Sequence, residues 1–453
     1  MMLLSRFSLI RYAALVLLAM AASYFIPPMQ SPDENQHFAR AYMLSKGDFL
    51  LETIPEKMSG GYIDEALHEF IKGNLQISGK YNEKLSAEEK FRLRNLRWSE
   101  AEKKSFMEIP GTGFYFPLIY LLHAIPIKIG EIADISIYQT YLLTRFFIIS
   151  LSIALMLWAF SIVSPSVAAL NVLMLPMSIF QLLSPTLDGL TTSLSLLSIS
   201  IFCNFFYRSY SEKSFYILMG SIILVASTRI HLLPIFLFLF MIAYHTRSKK
   251  FLALSIASSI LTLLWVAFSI KITVDNRIPR NFSTIEIIQH YILHPFDFSG
   301  VFLETITNPD MLAFYQQSFI GKLGWLDTLL PAWHYSWFSA FIILFFIASI
   351  FSENPSKPHL SARVTMLVVA FSSTLAIFAA LLVSWTPHPA TIIHGIQGRY
   401  FTVPVLLLAY AAHGIFPWKS KKFDFSIKII LTLFFLFSIY SMLIALQERF
   451  NNF

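Results

Sequence analysis

Two acids and two arginines carry the chemistry that this chain of 453 residues suggests. Asp33 and Glu34 lie in the run Ser31-Pro32-Asp33-Glu34-Asn35-Gln36-His37-Phe38-Ala39-Arg40, directly after a long apolar stretch. Part of that run has an ordinary structural explanation. Ser31 can cap a helix, Pro32 suits its first turn, and the two acids complement the positive end of the helix dipole. The position adds a second meaning, because a carboxylate beside an apolar body can take a proton from an acceptor hydroxyl arriving from the polar side.

Arg399 stands in His394-Gly395-Ile396-Gln397-Gly398-Arg399-Tyr400-Phe401, where a further apolar stretch begins. A cation at a helix start is on the wrong end of the dipole. A bound phosphate would balance it, since guanidinium grips phosphate through paired charged hydrogen bonds. The two glycines allow close backbone approach. Arg229 and His231 occupy a short turn between apolar runs. Snorkelling to an interface explains His231 more readily than Arg229. Asp188, in Ser184-Pro185-Thr186-Leu187-Asp188-Gly189, reads equally as a helix cap and as a functional acid, because acids near a membrane interior are costly. In Gly321-Lys322-Leu323-Gly324-Trp325-Leu326-Asp327, Trp325 is by default an interfacial residue, as is Trp333. The single cysteine, Cys203, excludes an intramolecular disulfide and a cysteine-only metal site.

The elements that must position these groups follow from composition. Hydrophobic residues make up 56% of the chain and charged residues only 13%, against about 25% charged in soluble domains. Soluble classes are thereby excluded. A membrane helix needs about 20 mainly apolar residues. Runs of that kind fall near 8–27, 139–162, 166–184, 188–207, 215–228, 230–244, 251–272, 336–352, 364–385, 400–416 and 426–446. The expectation is an all-α membrane protein of about eleven transmembrane helices. Its parts are a first helix in 1–27, an extracytoplasmic loop in 28–138, helices in 139–272, a second extracytoplasmic loop in 273–335, and C-terminal helices in 336–453.

Charge sets the expected sidedness, since short cytoplasmic loops are rich in Lys and Arg. The segments 1–11, 208–213, 245–250, 353–363 and 417–428 hold thirteen bases against three acids. The long segment 28–112 holds twelve bases against fourteen acids, and 273–335 holds three against six. The net charge of +7 is therefore an address rather than a nucleic-acid footprint. The N-terminus is expected inside and the C-terminus outside. A full span at 113–130 would invert the middle of the chain, so that segment, with Pro117 and Pro126, reads as a re-entrant or surface helix. The first apolar run is long enough to span, which favours an uncleaved helix over a cleaved signal despite Ala19-Met20-Ala21. In the first loop, Ser86-Ala87-Glu88-Glu89 has capping-box spacing and predicts a charged helix reaching about Ser105.

Several of these pieces together resemble a bacterial membrane family catalogued only as a domain of unknown function. They are Asp33-Glu34 with His37-Phe38, Tyr115 to Tyr120, Leu175-Pro176-Met177-Ser178, Asp188, Gly321 to Asp327, and Gly395 to Phe401. That family is in turn similar to the GT-C glycosyltransferases, which carry a catalytic acid in a first outer loop and use polyprenyl-phosphate sugars. The resemblance implies an inverting transfer at the outer face of the cytoplasmic membrane. Asp33 with Glu34 would deprotonate the acceptor, and Arg399, Arg229 and His231 would hold the donor phosphate. His37, Asp188, Trp325, Asp327, Gln397 and Tyr400 would line the substrate site. Relatives often carry a lysine where this chain has Arg229. The partners implied are the lipid-linked donor, a glycan or lipid-linked acceptor such as O-antigen, and membrane lipids. No cofactor is required, although a divalent cation on Asp33, Glu34 and Asp188 is compatible with the residue types. A transporter or flippase of lipid-linked saccharide, or a polymerase, is the alternative. It predicts broken, acid-bearing helices, whereas the one deeply placed charge, Arg145, has no evident carboxylate partner.

Overall fold

A computed structural model describes residues 6–100, 102–206, 211–279, 281–353, 359–418 and 420–450. The chain opens with α1 (Arg6–Ser23) and α2 (Glu34–Ser45), followed by β1 (Gly60–Asp64), α3 (Glu65–Leu75), α4 (Ala87–Arg94) and β2 (Lys104–Glu108). Two short 3-10 turns, Pro110–Thr112 and Pro117–Tyr120, lead into α5 (Leu121–Ile132) and the long α6 (Ile137–Ile162). Next come α7 (Val167–Leu173), α8 (Pro176–Leu182), α9 (Leu187–Phe205), α10 (Glu212–Thr228), α11 (Leu237–Thr246) and α12 (Lys249–Ile272). The remainder is α13 (Thr284–Leu293), α14 (Pro295–Thr307), α15 (Pro309–Ile320), α16 (Ala332–Phe351), α17 (Leu360–Ser384), α18 (Thr402–Ala412) and α19 (Lys421–Phe450).

Five helices among the described residues are long and apolar enough to cross a membrane: α6, α12, α16, α17 and most of α19. The pair α8 and α9 makes a sixth if its 103° bend belongs to one span. Eleven apolar runs thus stand against five or six such helices among the described residues; some of the others are interrupted, and α10, at 17 residues, is continuous but short. The run 166–184 is the plainest correction. Pro176 starts a new helix, the residue before it is extended, and two seven-residue pieces result. Each is about 10 Å long, a third of a hydrocarbon core of about 30 Å. The run at 230–244 begins as the 3-10 turn Ile230–Phe236, and that at 400–416 as the turn Gly398–Phe401. Arg208, one of the bases behind the expected sidedness, lies outside the described residues.

Local capping explains most helix starts. Ser136 and Gln139 close a reciprocal capping box at α6, and Ser283 and Glu286 do the same at α13. The segment 113–130 forms a 3-10 turn and then the twelve-residue α5 with Pro126 inside it, too short to span. Ser86 caps α4 as its spacing requires, yet the helix stops at Arg94 rather than near Ser105. Ser105 instead belongs to β2, opposite Ile63 of β1 in an antiparallel pair. The fold is therefore helical with one small sheet in the first loop rather than strictly all-α.

Burial separates the centre of the bundle from its rim. Nearly every residue of α9 is buried, whereas α12 leaves Leu261, Leu263 and Leu264 exposed. An apolar face of that kind suits lipid. The far end of α19 reaches both long loops: Arg449, fully buried, pairs with Asp327 at 3.0 Å and donates to the Glu83 carbonyl at 2.9 Å. The two polar segments and the end of the last helix therefore share one side of the molecule.

Candidate functional site

Four chain segments far apart in sequence meet at one cluster. Asp33 occupies the N-cap position of α2, but its side chain makes no capping bond and its backbone is left-handed, with φ 63°. Ser31, the expected cap, instead donates its backbone N–H to Glu34 Oε2 at 2.9 Å. A non-glycine residue in that backbone region costs of order 1–3 kcal/mol and often marks a functional position. The freed Asp33 carboxylate accepts from Arg399 Nη2 at 2.9 Å, and 42% of its side-chain surface stays open.

Arg399 is placed by the glycine before it. A Cβ on Gly398 would lie 2.1 Å from the Phe319 nitrogen and 2.3 Å from the Tyr315 carbonyl, so only glycine lets this turn seat against α15. The Gly398 N–H then donates to Ser318 Oγ at 2.7 Å. Arg399, its side chain 2% exposed, spreads its two terminal nitrogens between Asp33 and Asp188 Oδ2, the latter at 3.0 Å. The misplaced cation at the start of α18 is thus balanced by two acids of the chain itself.

Asp188 sits in the first turn of α9, the favourable end for an acid. Its second oxygen accepts from Arg229, which follows the last residue of α10, the favourable end for a cation. Gly189 lets α9 cross the end of α8, since a Cβ there would meet Leu182 backbone at 3.0 Å. The core of the cluster is therefore an alternating chain, Asp33, Arg399, Asp188, Arg229, closed by Tyr115, whose hydroxyl lies 3.4 Å from Arg229 Nη1.

His37 lies one helical turn beyond Asp33. Its ring stacks on Tyr115 with centroids 5.9 Å apart, and its Nδ1 shares a 2.8 Å hydrogen bond with the Tyr120 hydroxyl. Burial pushes its pKa down to about 4 despite the nearby Asp33 carboxylate, so it is neutral at pH 7. For Asp33 the balance runs the other way. The protein packed around its inner edge desolvates it and raises its pKa, but the Arg399 charge and hydrogen bond, with a contribution from His37, hold it below the ordinary 3.8.

Among the remaining sequence candidates, Tyr400 lies under Arg399, with the guanidinium carbon 5.4 Å from its ring centre, and the His231 ring is 6.1 Å from Tyr400. Gln397 precedes the turn, and its Oε1 is buried without a hydrogen-bond partner, as is Arg399 Nε. Glu34 points elsewhere. Its carboxylate is fully buried, accepts from the Tyr141 hydroxyl, and lies 3.8 Å from Arg145. Arg145 thus has the carboxylate partner that its sequence context did not reveal. Trp325 donates to the Met29 carbonyl at 2.8 Å, and Asp327 is taken up by Arg449. Both serve to fasten the second loop rather than to line the cluster.

One cationic neighbour escaped the sequence reading. Arg277 of the second loop pairs with Asp275 at 2.6 Å, packs 4.7 Å over the Trp385 ring, and is close enough to feel the Asp33 charge. Its signal in sequence was only one base in an acidic loop. The acids do not form a shared cation cage: Glu34 faces Arg145, and guanidinium groups already bridge Asp33 and Asp188. Chemically, the cluster offers an accessible carboxylate, two arginines able to exchange carboxylate for phosphate, and a neutral imidazole.

Comparison with protein families gives a match over residues 15–409 to a family described as predicted membrane protein (DUF2142). No curated protein matches the chain, and no solved structure does.

Proposed function

We propose that this chain, a member of the DUF2142 family of membrane proteins, transfers a sugar from a polyprenyl-phosphate donor to a cell-envelope glycan such as O-antigen. The reaction is of the GT-C type, at the outer face of a bacterial cytoplasmic membrane. One observation carries the reading: Asp33 spends its carboxylate on Arg399 rather than on its own helix, in a strained backbone, with the side chain still accessible.

The donor phosphate competes with Asp33 and Asp188 for Arg399 and Arg229, because guanidinium groups bind phosphate and carboxylate with the same forked geometry. Withdrawing Arg399 removes what holds the Asp33 pKa down, and Asp33 becomes a better base as the donor arrives. It then takes the acceptor hydroxyl proton. The hydroxyl oxygen attacks the sugar C1, the bond from C1 to the phosphate oxygen breaks, and its electron pair leaves on the lipid phosphate beside the two arginines. The anomeric centre inverts. His37 positions Tyr115, and Glu34 supports the start of α2 through Arg145.

A second reading, transport of a lipid-linked saccharide, rests on the 103° break between α8 and α9 with Asp188 just past it. Purified protein supplied with radiolabelled polyprenyl-phosphate sugar and a glycan acceptor separates the two. Label on the acceptor supports transfer. Movement of the lipid sugar between leaflets without label on the acceptor supports transport and rejects transfer.

A further inference from the structure

A second group of ligating side chains lies outside the acid and arginine cluster and shares no residue with it. His290 and His294 are four residues apart at the end of α13, so their rings stack on one face with centroids 4.7 Å apart. Asp297, in the first turn of α14, brings Oδ2 to 3.1 Å from His290 Nε2. One ligand atom from each of the three lies within 4.8 Å of the other two. The His388 ring approaches from the segment after α17, with its centroid 4.8 Å from that of His290, and its Nδ1 is buried without a hydrogen-bond partner. His290, Asp297 and His388 also line one open cleft, together with Glu304.

The orientation of His294 points the same way. Its Nδ1 lies 3.0 Å from the His290 carbonyl, an acceptor only, so Nδ1 carries the proton and the Nε2 lone pair is left free. A backbone carbonyl fixing one imidazole nitrogen while the other faces a metal is the usual outer-shell arrangement of a histidine ligand. Three imidazoles and one carboxylate suit a borderline divalent transition ion in a tetrahedral site, whereas magnesium and calcium take oxygen ligands.

We infer that His290, His294, Asp297 and His388 form a site for a divalent transition metal of the Zn2+ class. The ion ties the second polar loop to the segment that runs into Gly395 and Arg399. That segment is already fastened at one point, where the Ile393 N–H donates to Thr305 Oγ1 of α14 at 2.9 Å. The site is a structural clip beside the cluster, and it stands whether or not the chain transfers sugar.

The test uses the full chain in detergent, with any polyhistidine tag removed and adventitious metal stripped by chelator. Zn2+ is titrated against a chromophoric competitor, and Co2+ is added separately to read coordination from its visible absorption. The expected result is one Zn2+ per chain, a tetrahedral Co2+ spectrum, and at least a tenfold loss of Zn2+ affinity in His290→Ala, His294→Ala and the conservative Asp297→Asn. His68→Ala, which removes a histidine bonded to Ser105 in the first loop, leaves affinity unchanged. Wild-type protein that binds Zn2+ no more tightly than the variants, or that gives only an octahedral Co2+ spectrum, overturns the site. The Co2+ spectrum of wild type decides the matter even if a variant fails to fold.

Discussion

The pair formed by Glu34 and Arg145 yields the sharpest stability prediction. Arg145, only 2% exposed, donates to the carbonyls of Ser23 and Ile26, each at 2.9 Å, and to the Tyr141 hydroxyl, while Glu34 lies 3.8 Å away and is fully buried. Burial pushes the Glu34 carboxyl above the usual carboxylate range, against the Arg145 charge and the bonds from Tyr141 and Ser31. Replacing Arg145 by Met removes the counter-charge and two donors to buried carbonyls that cap the end of α1. Breaking a buried pair from one side costs about 3–5 kcal/mol, and the Ile26 carbonyl, left without Arg145, adds about 1–3 kcal/mol, while the Ser23 carbonyl keeps its bond from the Ile26 N–H. Arg145→Met should therefore lose at least about 4 kcal/mol, enough to deplete the folded protein. Glu34→Gln keeps an acceptor for Tyr141 and should cost about half as much. In the double variant no buried charge is stranded, so the coupling energy should be at least about 1.5 kcal/mol in the restoring direction. Denaturant unfolding in detergent, followed by intrinsic tryptophan fluorescence, measures all four corners of the cycle. Additive single effects, with coupling under about 0.5 kcal/mol, would refute the assignment of Glu34 to Arg145.

Gly398→Ala drives a methyl group into the backbone of Phe319 and Tyr315, which cannot move aside as a side chain would. A loss of about 1–3 kcal/mol is expected, together with loss of transfer because Arg399 shifts with the turn; an unchanged melting temperature would contradict the seating described. The depressed pKa of His37 gives a pH signature. Because the folded-state value of about 4 lies below the ordinary 6.5, the unfolded chain binds the extra proton first. Stability present above pH 6.5 is then lost as pH falls toward 4, and His37→Gln should flatten that slope by up to about 3 kcal/mol. Equal slopes for wild type and variant would remove His37 as its source. Arg399→Ala should lower the transfer rate about 100- to 1,000-fold, as expected for losing one donor to a developing anion, and donor titrations with a lipid phosphate lacking sugar should weaken in parallel.

What could be read in the sequence was what local spacing encodes. The Ser86 cap, the short helix with Pro126, and the two glycines before Arg399 all act within a few residues, and each carries its signal in that window; the break at Pro176 is hidden inside a continuous apolar run. The members of the cluster were legible one at a time as residues with inadequate structural explanations: an arginine at a helix start, and acids beside a membrane helix. Their mutual satisfaction was not, because Arg399 and Asp33 are separated by 366 residues and only tertiary packing brings them together. Separation along the chain also hid the partner of Arg145 and drew Glu34 into the wrong company. The pairing of β1 with β2 was masked because Lys104 to Glu108 continues a charged stretch whose helical start is strong. Apolar runs outnumber the helices that are long enough to cross a membrane among the described residues, since hydropathy marks burial as readily as lipid exposure, and α7 and α18 are short and largely buried.

The central claim is that Asp33 is the base, and Asp33→Asn tests it most directly. Asparagine tolerates the left-handed backbone that Asp33 adopts, so the variant keeps the fold while losing the ability to accept a proton. Single-turnover transfer from radiolabelled polyprenyl-phosphate sugar to a glycan acceptor should fall at least about 100-fold, with donor binding as tight as wild type or tighter because Arg399 loses a competing carboxylate. A variant that transfers sugar at the wild-type rate would contradict the account.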